Sequence, residues 1–228
     1  MKTFHLITLF PEVCESYLGA SILGRAQENK KIKVTFQNPR DFSDGALATA
    51  KTGKWVHGQV DAKPYGGGPG MVMLALPVIR AVAKALARVK DKKKSAIIWF
   101  SPSAPQFTNK DADKLLKYEH ITLVCGRYEG IDERAKKMLK TFGAVKEYAV
   151  GEAVYTGGEL PALSIIDATA RRISGVLGKD ASVEERRIAG SAVYTRPETV
   201  VYKAKKYKVP KILTTGHHKN IDAWKLKK

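Results

Sequence analysis

Short apolar segments alternate with helical ones along the first three quarters of the chain. Residues 4–10 (FHLITLF), 96–100 (AIIWF) and 121–125 (ITLVC) are apolar enough to be buried strands. Residues 31–37 (KIKVTFQ) alternate with a period of two, which is typical of a half-exposed strand, and residues 145–150 predict a last strand. Because strands that alternate with helices pair in parallel, the pattern predicts an α/β domain with a largely parallel sheet.

Helical spacing falls between these strands. A helix is expected to open at Pro11, since proline is well tolerated in a first turn. The other predicted helices cover residues 76–89, 111–117, 132–140 and 160–173. Residues 38–70 show no convincing period and end in PYGGGPG, and structureless stretches of this length are usually functional or disordered. Ligands of such sheets bind at the carboxyl ends of the strands.

The charge of the chain indicates a polyanionic partner. Forty Lys and Arg residues stand against 22 Asp and Glu, a formal net charge of +18, which favours nucleic acid over acidic lipid. A merely lysine-rich protein remains the alternative. Nine lysines and one aspartate lie in residues 203–228, where Tyr207 and Trp224 are interleaved with them.

Global disorder and a membrane-spanning chain are both excluded by composition. Hydrophobic residues make up 44% of the sequence, yet no apolar run approaches the roughly 20 residues that span a bilayer. The N-terminus does not resemble a signal peptide, and the two cysteines, Cys14 and Cys125, lie far apart. A disulfide scaffold or structural zinc site is therefore not expected, and the sequence predicts a cytoplasmic protein.

Three glycine-bearing segments could carry chemistry: residues 65–71 (YGGGPGM), 125–130 (CGRYEG) and 150–161 (VGEAVYTGGELP). Glycine lets a backbone approach a ligand closely, but ordinary tight turns would account for each segment equally well. None contains G-x-G-x-x-G, and residues 175–179 lack the P-loop spacing, so an ATPase or dinucleotide enzyme is poorly supported. His217 and His218 are expected on a surface or turn, and Cys125 as a buried structural thiol.

Taken together, the segments resemble the bacterial tRNA (guanine-N1)-methyltransferases, the TrmD family. The resemblance covers nearly the whole chain and rests most on PYGGGPGM and CGRYEGIDER. The other matching segments, in chain order, are LFPE (9–12), PRDF (39–42), GGELPA (157–162), GVLG (175–178) and YTRPE (194–198).

The resemblance implies a fold, a donor and a substrate. It implies the SPOUT methyltransferase fold, an α/β fold with a deep C-terminal trefoil knot, which periodicity could not have predicted. It further implies a homodimer with the active site at the interface. The implied reaction is methylation by S-adenosyl-L-methionine of N1 of the guanine 3′ of the anticodon (position 37) in tRNA.

The resemblance also assigns residues to the two binding sites. Three loops are expected to hold the methyl donor: Trp99, Phe100, Ser101 and Pro102; Gly126, Tyr128 and Glu129; and Val150, Gly151, Glu152, Ala153, Val154, Tyr155, Gly157 and Gly158. The target guanine is expected against Tyr65, Gly67, Gly68, Pro69 and Gly70.

N1 of guanine carries a proton at neutral pH, so the reaction needs a general base and a cation for the charge that develops on O6. By resemblance the cation is Arg171, although Arg171 or Arg172 could equally serve as a cation that offsets the helix dipole. The family requires magnesium, and Glu129 is the carboxylate placed to help hold Mg²⁺.

The sequence departs from the family at the base. The family's linker runs Ser-x-x-Glu-Asp-Ser, and the position of its catalytic Asp falls on Arg186, which cannot accept a proton. We hypothesise that Glu185, or else Glu184, supplies the carboxylate. An inactive protein that still binds tRNA would explain the same loss.

Smaller departures are Lys63, Val193, and Ala153 and Tyr155 within the third donor loop. Relatives continue beyond the Trp-x-Leu-Lys seen at residues 224–227 into further helices, so we expect the lysine-rich C-terminal segment to supply phosphate contacts instead, with tyrosines stacking on loop bases. The alternative is a solvated charged end with Trp224 packed on the main domain.

The expected organisation is a knotted methyltransferase domain (1–173), a linker (174–193) and a shortened, basic tRNA-binding segment (194–228). Two rival functions stay open on the sequence alone. One is a noncatalytic tRNA- or rRNA-binding relative of the same fold, and the other is a SPOUT methyltransferase with another RNA target.

Overall fold

A five-stranded parallel sheet lies at the centre of the computed structural model, which describes residues 1–43, 58–177 and 192–226. The strands of the chain are β1 (Lys2–Ile7), β2 (Ile32–Gln37), β3 (Asp61–Ala62), β4 (Val72–Met73), β5 (Ser95–Phe100), β6 (His120–Val124), β7 (Ala144–Tyr148), β8 (Thr199–Tyr202) and β9 (Lys205–Lys208). The central sheet has the order β2-β1-β6-β5-β7, and each neighbouring pair is parallel. The prediction of an α/β fold with a largely parallel sheet is confirmed.

Helices cover both faces of this sheet. These helices are α1 (Pro11–Leu18), α2 (Ser21–Glu28), α3 (Ala75–Ala85), α4 (Asn109–Leu115), α5 (Arg134–Leu139) and α6 (Glu159–Ala170); a further helix, α7 (His218–Leu226), lies nearer the C-terminus of the chain. Two apolar clusters result: α1, α2, α4 and α6 pack on one face, and α3 with α5 packs on the other. Consecutive residues of β5 point to opposite faces of the sheet, because Ile98 belongs to the first cluster and Ile97 to the second.

The observed element boundaries follow from local chemistry. The helix predicted after Pro11 ends at Leu18, and the N–H of Gly19 donates to the Glu15 carbonyl. Helix α2 begins at Ser21. Helix α4 begins at a capping box, in which the Thr108 side chain accepts from the Asp111 N–H and the Asp111 side chain accepts from the Thr108 N–H. Strand and helix positions otherwise lie within a few residues of the predicted ones.

By contacts the chain forms two compact units, Met1–Val176 and Leu177–Lys228. The described part of the second unit contains the antiparallel hairpin β8–β9, which the sequence did not predict. The hairpin turn is made by Lys203 and Ala204, both with positive φ (48° and 60°), as a tight two-residue turn requires. Tyr194 and Trp224 lie with ring centroids 6.4 Å apart inside this unit.

Candidate functional site

Three loops surround a cavity of about 280 Å³ at the carboxyl edge of the sheet. They follow β5, β6 and β7, which are neighbours in the sheet, so the topology delivers all three loops to one place. The predicted donor residues that line the cavity are Phe100, Ser101, Pro102, Gly126, Tyr128, Glu129, Val150, Ala153, Val154, Tyr155, Gly157 and Gly158. Concave, largely apolar walls with a few polar groups are typical of small-molecule sites.

Hydrogen bonds between loops hold these walls together. The Ser101 N–H donates to the Tyr148 carbonyl (3.2 Å), and the Phe107 N–H donates to the Ala149 carbonyl (2.8 Å), which joins the first loop to the third. The Gly158 N–H donates to the Gly126 carbonyl (2.9 Å), which joins the third loop to the second. All three loops are therefore joined directly by backbone hydrogen bonds.

Glycine is required where the second and third loops touch. A Cβ on Gly158 would lie 2.6 Å from Cys125 Cα, and one on Gly157 would lie 2.4 Å from Arg127 Nε. Neither distance is sterically possible without movement of the backbone or of a buried side chain. The glycines thus allow the two loops to close on one another rather than serving only as turns.

Tyr128 has a left-handed backbone at the centre of the second loop. Its φ is +59°, a conformation that costs a non-glycine residue roughly 1 kcal/mol, and its side chain is half exposed beside the cavity. Strained residues of this kind are concentrated at ligand sites.

Three of the predicted donor residues lie apart from the cavity lining. Trp99 is only 6% exposed and packs in the core on the α3–α5 face, with Lys136 Nζ 5.3 Å from its ring centroid. It faces away because Phe100, the next residue of β5, points to the cavity side. Gly151 and Glu152 belong to the third loop but do not line the cavity.

The other residues that line the cavity were not predicted as site residues: Arg127, Gly130, Tyr148, Ala149, Thr156 and Pro161. Arg127 is the most informative of these, because its Nε lies 3.0 Å from Oε2 of the buried Glu159. The sequence signal that could have revealed Arg127 is a pair of opposite charges in two glycine-containing motifs: the arginine of CGRYEG and the glutamate of TGGELP.

The predicted guanine wall lies outside the cavity lining. Tyr65 is almost fully exposed, and Cβ atoms on Gly67 and Gly68 would meet nothing within 4 Å. Only the end of the segment reaches the donor loops: a Cβ on Gly70 would lie 2.5 Å from Glu129 Oε1, and the Glu129 N–H donates to the Met71 carbonyl (3.0 Å). The segment that contains Pro69 is thus an exposed rim beside the second loop.

The structure distinguishes the two arginines at the end of α6. Arg172 is buried, its Nε lies 3.2 Å from Asp113 Oδ1, and its guanidinium donates to the Ala168 carbonyl. Arg171 is the C-cap residue and is partly exposed, and its side chain makes no hydrogen bond or ion pair with the described residues. Arg172 therefore has the structural role, and Arg171 is left available for chemistry.

Both candidate bases fall outside the described part of the chain. Glu184, Glu185 and Arg186 lie within residues 178–191. Glu129 is the only carboxylate among the described residues that line the cavity. The same described residues contain no group of three or more His, Cys, Asp or Glu side chains that could hold a metal ion.

Both cysteine thiols are buried. Cys125 is fully buried, and burial raises its pKa well above the usual value; burial likewise raises the pKa of Cys14 to about 11. As predicted, Cys125 is a structural thiol, and His217 and His218 are exposed.

A parallel α/β sheet with a loop-lined cavity at its carboxyl edge defines a class of ligand-binding domains rather than one activity. The model of the family described as tRNA (Guanine-1)-methyltransferase TrmD matches residues 1–228. The chain belongs to this family.

Curated relatives agree with the family match. The tRNA (guanine-N(1)-)-methyltransferase of Ruminiclostridium cellulolyticum is 40% identical over 227 residues, covering 98% of this chain and 89% of the relative. The proteins of the same name from Haemophilus influenzae (strain PittGG) and Shewanella loihica are 40% and 38% identical, each covering 97% of this chain and 84% and 83% of the relative.

None of the helices in the described residues is both long enough and apolar enough to cross a membrane.

Proposed function

We propose that this chain is a tRNA (guanine-N1)-methyltransferase that uses S-adenosyl-L-methionine to methylate N1 of the guanine 3′ of the anticodon. The observation that carries the proposal is the glycine-walled cavity at the carboxyl edge of the sheet, in a chain that matches the family along its whole length. The family implies S-adenosylmethionine as the methyl donor, and the apolar walls and close-packed glycines fit that molecule.

The reaction asks the protein for three things. When bound, the donor would supply an electrophilic methyl group on sulfur. N1 of guanine supplies the electron pair of the new N–C bond, and the electron pair of the broken S–C bond stays on sulfur, which leaves S-adenosylhomocysteine. The protein removes the N1 proton, steadies the negative charge that spreads to O6, and excludes water from the methyl group. The cavity walls perform the last task.

Arg171 is proposed to face O6. Its side chain has no partner in the described residues, whereas its neighbour Arg172 is held by Asp113. A guanidinium stays charged at every relevant pH and therefore stabilises the developing charge without taking the proton itself.

Glu185, or else Glu184, is proposed to take the N1 proton. Support comes from the chemistry of the linker sequence, where Arg186 stands in the position of the family Asp. A carboxylate within hydrogen-bond reach of N1 can accept its proton, and Glu reaches one methylene farther than Asp.

The test is methyl transfer from labelled S-adenosylmethionine to tRNA that carries guanine next to the anticodon. Wild type should transfer label to N1, and Glu185→Ala should lose most of this activity. Full activity in that variant would remove Glu185 from the role, and Glu184→Ala would then be compared. The absence of transfer by wild type, together with retained tRNA binding, would favour a noncatalytic relative. Mapping the labelled base in total RNA would separate the other rival, an enzyme with another RNA target.

Magnesium remains a prediction. Glu129 alone does not make a metal site, because Mg²⁺ prefers six oxygen ligands and commonly takes several from water and substrate phosphates. If Glu129 holds the ion, chelation by EDTA should reduce methyl transfer by wild type. The activity of Glu129→Gln, already low, should fall little further when EDTA is added.

A homodimer with a shared active site is proposed from exposed apolar side chains on adjacent helices. Val13 and Tyr17 of α1 are 44% and 48% exposed, and Leu160 of α6 is 56% exposed, although α1 and α6 pack together. Sedimentation equilibrium should give twice the mass of the chain, and Val13→Asp with Leu160→Asp should give the monomer mass.

For the organisation of the chain we propose a knotted domain (1–173), a linker (174–193) and a basic tRNA-binding segment (194–228). The out-of-order strand sequence β2-β1-β6-β5-β7 is compatible with a chain that crosses itself. Limited trypsin treatment should cleave at Lys179, Arg186 or Arg187 and leave a protected N-terminal fragment. Exposed lysines and tyrosines on the β8–β9 hairpin support tRNA contact by the C-terminal segment.

A further inference from the structure

A buried carboxylate stands behind the donor cavity with no role in the reaction described above. Glu159 is 2% exposed and is the first residue of α6. The Thr8 hydroxyl accepts from the Phe10 N–H (3.0 Å) and so directs its own hydrogen to Glu159 Oε1 (2.7 Å). The Thr8 hydroxyl thus donates to this carboxylate.

Its partner is Arg127, in the second loop. Arg127 Nε and Glu159 Oε2 lie 3.0 Å apart and attract by charge, although their geometry is not that of an aligned hydrogen bond. The guanidinium carbon lies 4.6 Å from the centroid of the Phe10 ring, a cation–π contact that covers one face of the arginine. The backbone N–H of Arg127 also donates to Met73 Sδ (3.3 Å).

Burying this charge is costly, so its position needs a reason. A buried carboxylate is tolerated when a cation, a hydrogen-bond donor or a helix N-terminus compensates for lost water, and Glu159 has all three. Glycine supplies the space for the pair: a Cβ on Gly157 would lie 2.4 Å from Arg127 Nε and 2.6 Å from Glu159 Oε2.

The pair joins two walls of the cavity. Arg127 and Gly157 both line the cavity and form an antiparallel bridge with each other, while Glu159 anchors the start of α6 directly behind them. Movement of the second loop away from the third would separate the opposite charges inside a protein interior, where such separation is most expensive.

We propose that Glu159 is a positioning residue for the methyl donor: through Arg127 it holds the second and third loops at the spacing that the donor cavity requires. The proposal rests on the proposed function only for the identity of the ligand. Glu159 touches neither donor nor guanine in this role and acts entirely through the arginine.

The test uses Glu159→Gln, which keeps size and the Thr8 hydrogen bond but removes the charge. Binding of S-adenosylhomocysteine, measured by titration calorimetry on the full chain, should weaken about ten-fold, equivalent to about 1.4 kcal/mol. The Michaelis constant for the donor should rise by a similar factor, while kcat at saturating donor should change less than about two-fold. The matched control is Glu119→Gln, which breaks the exposed Lys94–Glu119 pair far from the cavity and should leave donor binding unchanged.

A double variant separates positioning from general stability. If Glu159 acts through Arg127, adding Glu159→Gln to Arg127→Gln should weaken donor binding no further than Arg127→Gln alone. Additive losses, or unchanged donor binding by Glu159→Gln, would overturn the proposal. Should Glu159→Gln fail to fold, Thr8→Val takes its place, and its donor binding should weaken about three-fold. Unchanged donor binding by Thr8→Val, or a loss that adds to that of Arg127→Gln, would again overturn the proposal. Wild type that binds no donor would instead refute the proposed function.

Discussion

At residue scale, the shape of the cavity depends on a position where two loops pack too closely to leave room for a side chain. Gly158 has an ordinary right-handed backbone with φ of −79°, so its need for glycine comes only from the close approach of Cys125. This differs from Gly66, Gly67 and Gly68 of the exposed rim, which have positive φ and where a Cβ would meet nothing within 4 Å.

We therefore expect Gly158→Ala to push the second and third loops apart. The variant should lose about 2 kcal/mol of unfolding free energy, the usual size of a core overpacking effect, and should bind S-adenosylhomocysteine at least ten-fold more weakly. Gly216→Ala is the control, because Gly216 has open space around it and pays only the strain of its positive φ. Equal donor binding by the two variants would contradict the steric reading of position 158.

A second residue-scale effect concerns protonation. His5 is buried on β1, its Nδ1 lies 2.8 Å from Thr35 Oγ1, and its ring stacks on His120. Burial, followed by the nearby charges of His120 and Lys33, lowers the pKa of His5 from 6.5 to about 4. Burial lowers the pKa of His120 as well.

Because the folded state resists protonation of His5 and the unfolded chain does not, stability is complete above about pH 6.5 and is lost as the pH falls toward 4. We expect the free energy of unfolding to drop by about 2 kcal/mol between pH 7 and pH 5. Urea unfolding at both pH values measures this drop. His5→Asn should remove most of it, and a drop of the same size in that variant would assign the effect to other groups.

At element scale, the end of α6 places two neighbouring arginines in different surroundings. A helix turns by about 100° per residue, so Arg172 faces α4 and Asp113 while Arg171 faces elsewhere. Sequence alone left either arginine free to offset the helix dipole.

The two roles predict opposite phenotypes. Arg172→Met should lower the free energy of unfolding by about 1–3 kcal/mol, since it removes charged hydrogen bonds, and should reduce activity only in proportion to the folded fraction. Arg171→Met should leave stability unchanged and reduce kcat roughly 100-fold, the scale of a lost transition-state contact. Chemical unfolding and methyl-transfer assays on both variants test the two predictions. If Arg171→Met lost stability and Arg172→Met lost kcat, the roles assigned to the two arginines would be the wrong way round.

At the scale of the whole molecule, the charge of +18 is unevenly distributed. The β8–β9 hairpin carries exposed Lys205, Lys206 and Lys208 together with the exposed Tyr202 and Tyr207. Phosphate contacts by such lysines release counterions, so their number can be measured from the salt dependence of tRNA affinity.

Replacement of these three lysines by glutamine should weaken tRNA binding and lower the slope of log affinity against log salt by about 2–3. The control replaces Lys90, Lys92 and Lys93, which are exposed just before β5 and so lie at the amino edge of the sheet. That variant should change the slope by less than about 1. Equal changes of the salt slope in both variants would mean that the overall positive charge attracts tRNA, without specific contacts by the hairpin lysines.

How far sequence reasoning reached differs between fold and site. Three of the central strands were predicted as short apolar runs and β2 from its period of two, and the motifs CGRYEG and GGELPA pointed to two of the loops that line the cavity. The β8–β9 hairpin was not predicted because its strands are lysine-rich and exposed, and Trp99 lies in the core rather than on the cavity wall because a motif does not say which face of a strand a side chain takes.

The sequence by itself determined the α/β class and the family, because these depend on local periodicity and on contiguous motifs. Only the tertiary structure decided which arginine at the end of α6 is bound by Asp113, and that Glu159, 32 residues beyond Arg127, pairs with it beside the cavity. The physical reason is that burial and charge pairing are properties of residues brought together across the sheet, and no local pattern records which residues those will be.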